Sequence, residues 1–528
     1  MNSHHRRGLS GSSGVDSGPR PFDLHVRGEV PTAFDGSLVV STSRRAKDRS
    51  VFRRWHDSST DLLRLDLFPG RPGRITAHIL EVDPWAPELT LDLGLIPETG
   101  YRQGFRAPMP YPTQPNHGLN VANDLLWATN LLFGSPLEVE LSTWKPRRIL
   151  QFVQPDKEAP GVSTTSHFAW SPDRRHTYFH QSLLKPQPKP RPVVATDLRL
   201  IELDVANGDQ RAWQIVPPPG DEAMESANFH SGFCFEARGK RYVGLLRTGA
   251  IIPSLTVHAG TNDHAVPRMP PSTIWLVEID QASASLQAQL LPGVEQIDGL
   301  ALSHLDVDIS RRDGFILYAN FKESPVGEET HGRNIYGEEP SVVAEHYPGM
   351  ILEPLNYGAV IRYEWRNGDW SMRTFKRPYQ PGRTSLGHTW LPINLQLEPG
   401  NQRLFATFSG FRPRLVSQHI AAAYPERSVE PTAVTFVPSL LMRFDARTLE
   451  PDYDPNGGHL SYAEPVAMAV AGDRTESFVC TFSPEAGLHI YRADDLNHVV
   501  CQAESPMLMH WGDDYFRPEP AHAEFVPR

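Results

Sequence analysis

The chain has 528 residues, of which 39% are apolar and 21% are charged, an ordinary balance for a folded globular protein. A formal net charge of −11 argues against binding to a nucleic-acid backbone, which needs a basic surface. No run of apolar residues reaches the ~18 that a membrane span requires. Three cysteines are too few for a disulfide framework, so a reducing compartment, the cytoplasm, is predicted.

The start of the chain has a different composition. Residues 1–20 are rich in serine, glycine and arginine and nearly free of apolar side chains, so they are predicted to be a disordered head. Transit peptides have a similar composition, but they also have an amphipathic apolar face that is missing here. Proline-rich stretches such as residues 185–192 are typical of loops between strands. Residues 21–528 are therefore predicted to form one domain.

Short runs of alternating apolar residues, each ending in an acidic or small polar residue, recur along this domain. There are seven of them: Leu62–Asp66, Leu137–Ser142, Leu200–Asp204, Trp275–Asp280, Val360–Glu364, Leu441–Asp445 and His489–Asp494. Their spacing leaves room for about four strands of ~5 to 6 residues in each repeating unit. Seven four-stranded units predict an all-β fold, a seven-bladed β-propeller.

Histidines follow several of these runs at nearly the same distance. His167, His230, His304 and His522 lie 24 to 28 residues after the end of the preceding run. Equivalent positions in successive blades surround the central axis of a propeller, so these four side chains are predicted to converge on a metal site. His388 lies 24 residues after its own run and is a fifth candidate.

Each histidine also has a simpler interpretation, because a lone histidine before a strand is more often a hydrogen-bonded structural residue than a ligand. Four histidines at nearly the same distance after their runs, with aromatic neighbours such as Phe168 and Phe229, favour the metal site. Neutral imidazole suits iron, copper, zinc and nickel alike, so the ligands alone do not identify the metal. Four nitrogens without a thiolate disfavour structural zinc and favour a redox metal with an open coordination position.

Other arrangements of polar residues give weaker signals. Asp306 and Asp308 follow His304 along the same predicted strand and are compatible with a carboxylate metal site. Because alternate residues of a strand point the same way, a solvent-facing strand surface is the preferred interpretation. The sequence contains no glycine-rich phosphate loop, no G-x-S-x-G nucleophile elbow and no H-E-x-x-H motif. Hydrolase and zinc-protease functions therefore have no motif to support them.

The four histidine segments, in their order and local sequence, resemble the carotenoid cleavage oxygenase family, which includes apocarotenoid-cleaving and stilbene-cleaving enzymes. Further segments are similar to that family from about Phe22 to the end of the chain: DLHVRGEVPTAFDGSLVVSTSRR, WHDSSTDLLRLDLF, NHGLNVANDLLWAT, LPIN, AEPV and HAEFVPR. Each segment is short, but their order over the whole length is fairly specific.

The resemblance implies a seven-bladed propeller with Fe(II) on its axis, held by His167, His230, His304 and His522, and long loops that cap the substrate. It implies cleavage by O2 of a conjugated double bond in a carotenoid, apocarotenoid or stilbenoid, giving two carbonyl products. Around the ligands the family has glutamates, and only Glu464 matches one. The other matching positions hold Asn130 and His388 or Thr389, which are neutral.

The neutral residues around the ligands leave three functions open. The first is an active dioxygenase, the second is a non-catalytic or isomerase-type propeller of the same family, and the third is a metal-free interaction module. The expected partners are an apolar conjugated small molecule and O2, with no nucleic acid. Peripheral contact with a membrane for substrate uptake is left open.

Overall fold

The computed structural model describes residues 21–44, 59–70, 74–82, 118–129, 135–154, 159, 161–185, 194–221, 227–251, 272–294, 301–311, 313–322, 326–327, 358–376, 391–409, 440–453, 464–483, 487–504 and 519–528. The predicted disordered head lies outside these ranges. Within them, regular structure is β-strand apart from one 3-10 turn at Thr32–Phe34. No helix in these ranges is long and apolar enough to cross a membrane.

The strands form seven four-stranded units, which we number as blades 1 to 7 along the chain. Strand β1 (Phe22–Gly28) precedes blade 1. Blade 1 contains β2 (Gly36–Arg44), β3 (Ser59–Leu67) and β4 (Ile75–Val82), and its fourth strand is the last strand of the chain. Blade 2 contains β5 (Leu119–Ala122), β6 (Leu125–Ala128), β7 (Leu137–Glu140) and β8 (Lys145–Ile149). Blade 3 contains β9 (Gly161–Thr164), β10 (Ala169–Trp170), β11 (His176–Lys185), β12 (Val194–Asp204) and β13 (Gln210–Val216).

Blade 4 contains β14 (Ala227–Ala237), β15 (Lys240–Ile251), β16 (Thr273–Glu278) and β17 (Ser285–Leu290). Blade 5 contains β18 (Ala301–Asp308), β19 (Gly314–Lys322), β21 (Gly358–Arg366) and β22 (Asp369–Lys376), and the short β20 (Val326–Gly327) pairs with β15. Blade 6 contains β23 (Leu391–Leu397), β24 (Arg403–Ser409), β25 (Leu440–Asp445) and β26 (Pro451–Tyr453). Blade 7 contains β27 (Val466–Val470), β28 (Asp473–Ser483), β29 (Gly487–Arg492) and β30 (Asp495–Glu504), and β31 (Glu519–Pro527) ends the chain.

The seven apolar runs found in the sequence are all third strands of their blades, counted from the innermost strand. Alternate side chains of such a strand point to opposite faces and therefore into the two flanking blades. In β12, for example, Leu200 packs toward blade 4 and Ile201 toward blade 2. Each of the seven seams between blades holds its own buried apolar cluster. The core is thus a ring of seams, which explains why these runs are apolar on both faces.

The innermost strands surround the axis and close into a ring. Strand β31 pairs with β2 and becomes the innermost strand of blade 1, so that blade joins the two ends of the chain. Strands β14, β18, β23, β27, β31 and β5 pack successively against one another, and β9 and β10 pack against β14. On the outside, β1 pairs with both β4 and β30. The predicted seven-bladed β-propeller is confirmed.

The connections differ in length at the two ends of the blades. Those that lead into an innermost strand, and those between second and third strands, include the long stretches outside the described residues, such as residues 83–117, 252–271, 328–357 and 410–439. They join the strands at the end where the innermost strands begin. The predicted substrate cap of long loops lies outside the described residues.

Candidate metal centre

The four predicted histidines meet on the propeller axis. The ring centroid of His167 lies 5.2 Å from that of His230, 4.9 Å from that of His304 and 4.6 Å from that of His522. The His304 centroid lies 4.6 Å from that of His230 and 4.8 Å from that of His522. Donor nitrogens of His167, His230 and His304 all lie within 4.8 Å of one another. Because metal–imidazole bonds are about 2 Å long, a single ion between the rings can reach these donors.

Irregular strand pairing accounts for the direction of these side chains. The register of β14 on β15 shifts at His230, that of β18 on β19 shifts at His304 and that of β31 on β2 shifts at His522. In blade 3 the segment that carries His167 separates β9 from β10. A bulge breaks the strict alternation of a strand and re-aims a side chain, and bulges are frequent next to active sites. Each blade thereby directs an imidazole toward the axis.

Burial keeps the imidazoles of His167 and His522 uncharged. It lowers the pKa of His167 to about 3, with a further lowering from neighbouring His522 that Glu464 opposes. Burial likewise lowers the pKa of His522 to about 3. A neutral ring has a nitrogen lone pair for a metal, whereas a protonated ring has none. The Nε2 atom of His167 is buried and has no hydrogen-bond partner among the described residues, which fits a metal ligand.

A carboxylate supports one of the four rings. Glu464, just before β27, lies with Oε2 3.2 Å from Nδ1 of His522. Burial raises the pKa of Glu464 to about 7, and His167 opposes that shift. A hydrogen bond at Nδ1 fixes the tautomer that leaves Nε2 available to a metal and raises the basicity of the ring. Glu464 is therefore in a position to orient the ring of His522.

A hydroxyl supports a second ring. The Oγ atom of Ser231 lies 3.1 Å from Nδ1 of His230, and both residues are buried. Sequence analysis missed Ser231, because consecutive side chains of a regular strand point to opposite faces and only the bulge brings these two together. The remaining predicted residues around the ligands, Asn130, His388 and Thr389, lie outside the described ranges.

Solved structures share this fold. A point variant of Synechocystis apocarotenoid oxygenase matches with a TM-score of 0.58 and 13% identity over 97% of both chains. The cobalt-substituted form of that oxygenase matches with a TM-score of 0.58 and 12% identity, and an ACO/RPE65 chimera with 0.57 and 13%, again over 97% of both chains. The chain has the fold of apocarotenoid oxygenase. No family model and no curated protein matches the sequence. The resemblance seen in the sequence is thus confirmed in the fold.

The two aspartates near His304 have structural roles. Asp306 accepts hydrogen bonds from the main-chain N–H groups of Val307 and of Leu397, the latter in blade 6. Asp308 accepts one from Ser310 and is only 8% exposed. The preferred interpretation of a solvent-facing strand surface is therefore wrong for Asp308, which is buried, and both carboxylates accept main-chain hydrogen bonds. Burial raises the pKa of Asp306 to about 6.

A further buried histidine was not singled out from the sequence. His180, on β11, is fully buried, and its ring centroid lies 4.6 Å from that of Phe229. Neither ring nitrogen has a hydrogen-bond partner among the described residues. Burial lowers its pKa to about 3. It occurs in the second strand of its blade, so the phase that identified the four axial histidines does not include it.

Proposed function

We propose that the chain is a divergent carotenoid cleavage oxygenase. Its reaction is the Fe(II)-dependent cleavage, by O2, of a conjugated carbon–carbon double bond in an apolar substrate to give two carbonyl products. The observation that carries this proposal is the convergence of four histidines, from blades 1, 3, 4 and 5, on the axis of the fold of apocarotenoid oxygenase.

The residues of the site fit the requirements of such an ion. His167, His230, His304 and His522 would hold ferrous iron, which supplies the redox chemistry with O2 when bound. Burial keeps His167 and His522 neutral at physiological pH, the state in which they bind a metal. Glu464 holds the tautomer of His522 and orients its ring.

A second function has one observation in its favour. One described partner of the His230 ring is the neutral hydroxyl of Ser231, whereas the resemblance implies glutamates around several of the ligands. If Glu464 is the one carboxylate beside a dication, the site keeps a net positive charge, whereas three carboxylates would make it negative. Because a more positive iron donates less readily to O2, this favours a non-catalytic or isomerase-type propeller.

A metal-free interaction module is the least consistent of the three functions. Without a metal, Nε2 of His167 would remain buried with no partner in the described part of the chain. Leaving a buried polar group unpaired costs about 1–3 kcal/mol. A bound ion removes that cost.

The substrate class we propose is a carotenoid, an apocarotenoid or a stilbenoid. Such molecules are apolar and partition into lipid, so we also propose that the protein acts in the cytoplasm and contacts a membrane surface peripherally to take up its substrate. Sedimentation of the protein with lipid vesicles, with and without a carotenoid in the bilayer, tests this contact. Absence of the protein from the pellet in both cases would contradict it.

Reconstitution of the purified protein under anaerobic conditions tests the dioxygenase function. We expect about one iron per chain, and O2 uptake with two carbonyl products from at least one member of a panel of carotenoids, apocarotenoids and stilbenoids. Iron binding with no O2 uptake on any substrate would favour the second function. Stoichiometric zinc with no iron would overturn the oxygenase proposal.

A further inference from the structure

The segment that carries His167 is held by the side chain of a residue in the neighbouring blade. Asn120, on β5 of blade 2, accepts a hydrogen bond from the main-chain N–H of Phe168 at 2.6 Å. Its amide nitrogen donates to the carbonyl oxygen of Ser166 at 2.9 Å. The two hydrogen bonds fix the peptide groups of the residues immediately before and after His167. Asn120 is 4% exposed, so water competes little for either bond.

Two further sets of contacts act on the same segment. The hydroxyl of Thr129, in blade 2, donates to the carbonyl of Ser166 at 2.8 Å. On the other side, the main-chain N–H of His167 donates to the carbonyl of His230 at 3.0 Å, and the N–H of Gly232 donates to the carbonyl of His167 at 2.9 Å. The segment between β9 and β10 is thus held by hydrogen bonds to blade 2 on one side and to blade 4 on the other. This arrangement replaces the ladder that a continuous strand would have given it.

The other axial histidines are positioned in different ways. Glu464 holds the ring of His522 and Ser231 holds the ring of His230. The main-chain N–H of His304 donates to Oδ1 of Asn320 at 2.8 Å, directly opposite the bulge. For His167, Nε2 has no partner in the described ranges, and the hydrogen bonds of its main chain fix the point from which its ring projects.

We propose that Asn120 is a positioning residue for the metal centre. By fixing the peptides on both sides of His167, it sets the direction of that imidazole before a metal binds and so lowers the conformational cost of coordination. The inference rests on the proposed metal centre but not on the dioxygenase reaction. A site whose ligands are held by their surroundings binds metal more tightly, and loss of such outer contacts typically costs ~10 to 100-fold in metal affinity or activity.

A second buried amide provides a matched control. Gln181 accepts a hydrogen bond from the N–H of Phe152 at 2.8 Å and donates to the carbonyl of Leu150 at 2.9 Å, so it grips two peptides in the same manner as Asn120. It is fully buried, and the segment it holds carries no axial histidine. Asn120→Leu and Gln181→Met both remove an amide while nearly preserving side-chain size.

The test measures Co(II) binding to the metal-free protein, together with the visible absorption spectrum of the bound ion and thermal unfolding without metal. We expect both variants to unfold at a lower temperature than wild type. Only Asn120→Leu should lose about tenfold or more in Co(II) affinity and shift the absorption bands, which report ligand geometry. Wild-type affinity and spectrum in Asn120→Leu, or equal losses of affinity in both variants, would overturn the proposal.

Two results separate this inference from the proposed function. If wild type takes up no Co(II), the metal centre is wrong and the inference fails with it. If wild type binds Co(II) and Asn120→Leu shows the expected loss, but the iron-loaded wild type consumes no O2 with any substrate, the dioxygenase function fails while the positioning role of Asn120 stands.

Discussion

Glu464 and His522 meet across the seam between blades 7 and 1, with Oε2 of the carboxylate 3.2 Å from Nδ1 of the ring. His522 lies on β31, the strand that joins the end of the chain to blade 1, and Glu464 lies just before the innermost strand of blade 7. The contact between the metal centre and its carboxylate therefore crosses the place where the propeller closes. Metal binding and ring closure should consequently support each other.

Glu464 should matter more to the metal than a comparable buried acid elsewhere. Glu464→Gln should weaken iron retention or turnover by about one to two orders of magnitude and leave the fold intact, because the ring of His522 loses its carboxylate partner. Glu398→Gln is the matched control, since Glu398 is 2% exposed and pairs with Arg403 and Ser477, neither of which is a metal ligand. It should lower stability without changing iron content.

The outcome also checks which residues surround the ligands. Iron content and turnover would be measured on Glu464→Gln and on His388→Ala. If Glu464→Gln behaves as wild type and His388→Ala does not, the residues that orient the ligands have been misassigned.

Loss of His167, His230 or His304 should abolish bound iron. His167, His230 and His304 have donor nitrogens within one small sphere, so each Ala substitution removes a ligand from the same ion. Metal analysis after anaerobic reconstitution measures the effect. His489→Ala is the control, because His489 is also buried but lies on β29 with its ring centroid 5.9 Å from that of Tyr491. Full iron content in any of the three axial variants would remove that residue from the site.

The repeating strands were predictable because they are the simplest part of the fold. Third strands such as β12 are apolar on both faces, since each face packs against a neighbouring blade, and this gives a run that stands out in the sequence. The innermost strand of blade 3 could not be found in this way. It is split into β9 and β10, and the latter spans only Ala169–Trp170. A strand this short cannot show an alternation of apolar and polar residues in the sequence.

The metal ligands were predictable for a different reason, and their surroundings were not. The innermost strands that carry these histidines begin at a similar distance after the third strand of the preceding blade, so the histidines recur at a similar distance after the apolar runs. Ser231 reaches its neighbour only through a bulge, and Asn120 contacts a segment from another blade. Neither relationship follows from the period of a strand, because both depend on local irregularity and on packing between blades. Asp308 was misread as solvent-facing for the same reason.

Burial of His180 should make stability depend on pH. Its pKa is lowered to about 3 in the folded protein, so below its unfolded value of 6.5 the unfolded chain binds a proton that the folded chain does not. This contribution to stability is present above pH 6.5 and is lost as the pH falls, by about 2 kcal/mol between pH 7 and pH 5. His180→Leu removes the titrating group and nearly preserves its volume.

Urea unfolding of the metal-free wild type and His180→Leu at pH 7 and pH 5 measures this contribution. Other ionisable groups titrate in both proteins, so they cancel in the difference. We expect the stability of the variant relative to wild type to rise by about 2 kcal/mol on acidification. An unchanged difference between the two pH values would show that His180 gains a proton in the folded state as readily as in the unfolded state.

The end of the chain is held by several contacts besides the metal centre. The ring of Phe525 lies 5.2 Å from that of Phe34, centroid to centroid, in an edge-to-face arrangement. The main-chain N–H of Arg528 donates to the carbonyl of Asp35 at 2.9 Å, and their side chains form an ion pair at 3.2 Å. These contacts belong to ring closure and do not involve the axial imidazoles.

Two variants at this end should separate closure from metal binding. Removal of residues 521–528 deletes most of β31 and should abolish iron and activity and lower the melting temperature strongly, because blade 1 loses its innermost strand. His522→Ala should lose iron with a smaller change in melting temperature, since the contact between Phe525 and Phe34 survives. Iron content and thermal unfolding would be measured on both. An active truncated protein with full iron content would exclude His522 from the site, and equal losses of melting temperature would show that closure depends on the metal ligand more than on the packing of β31.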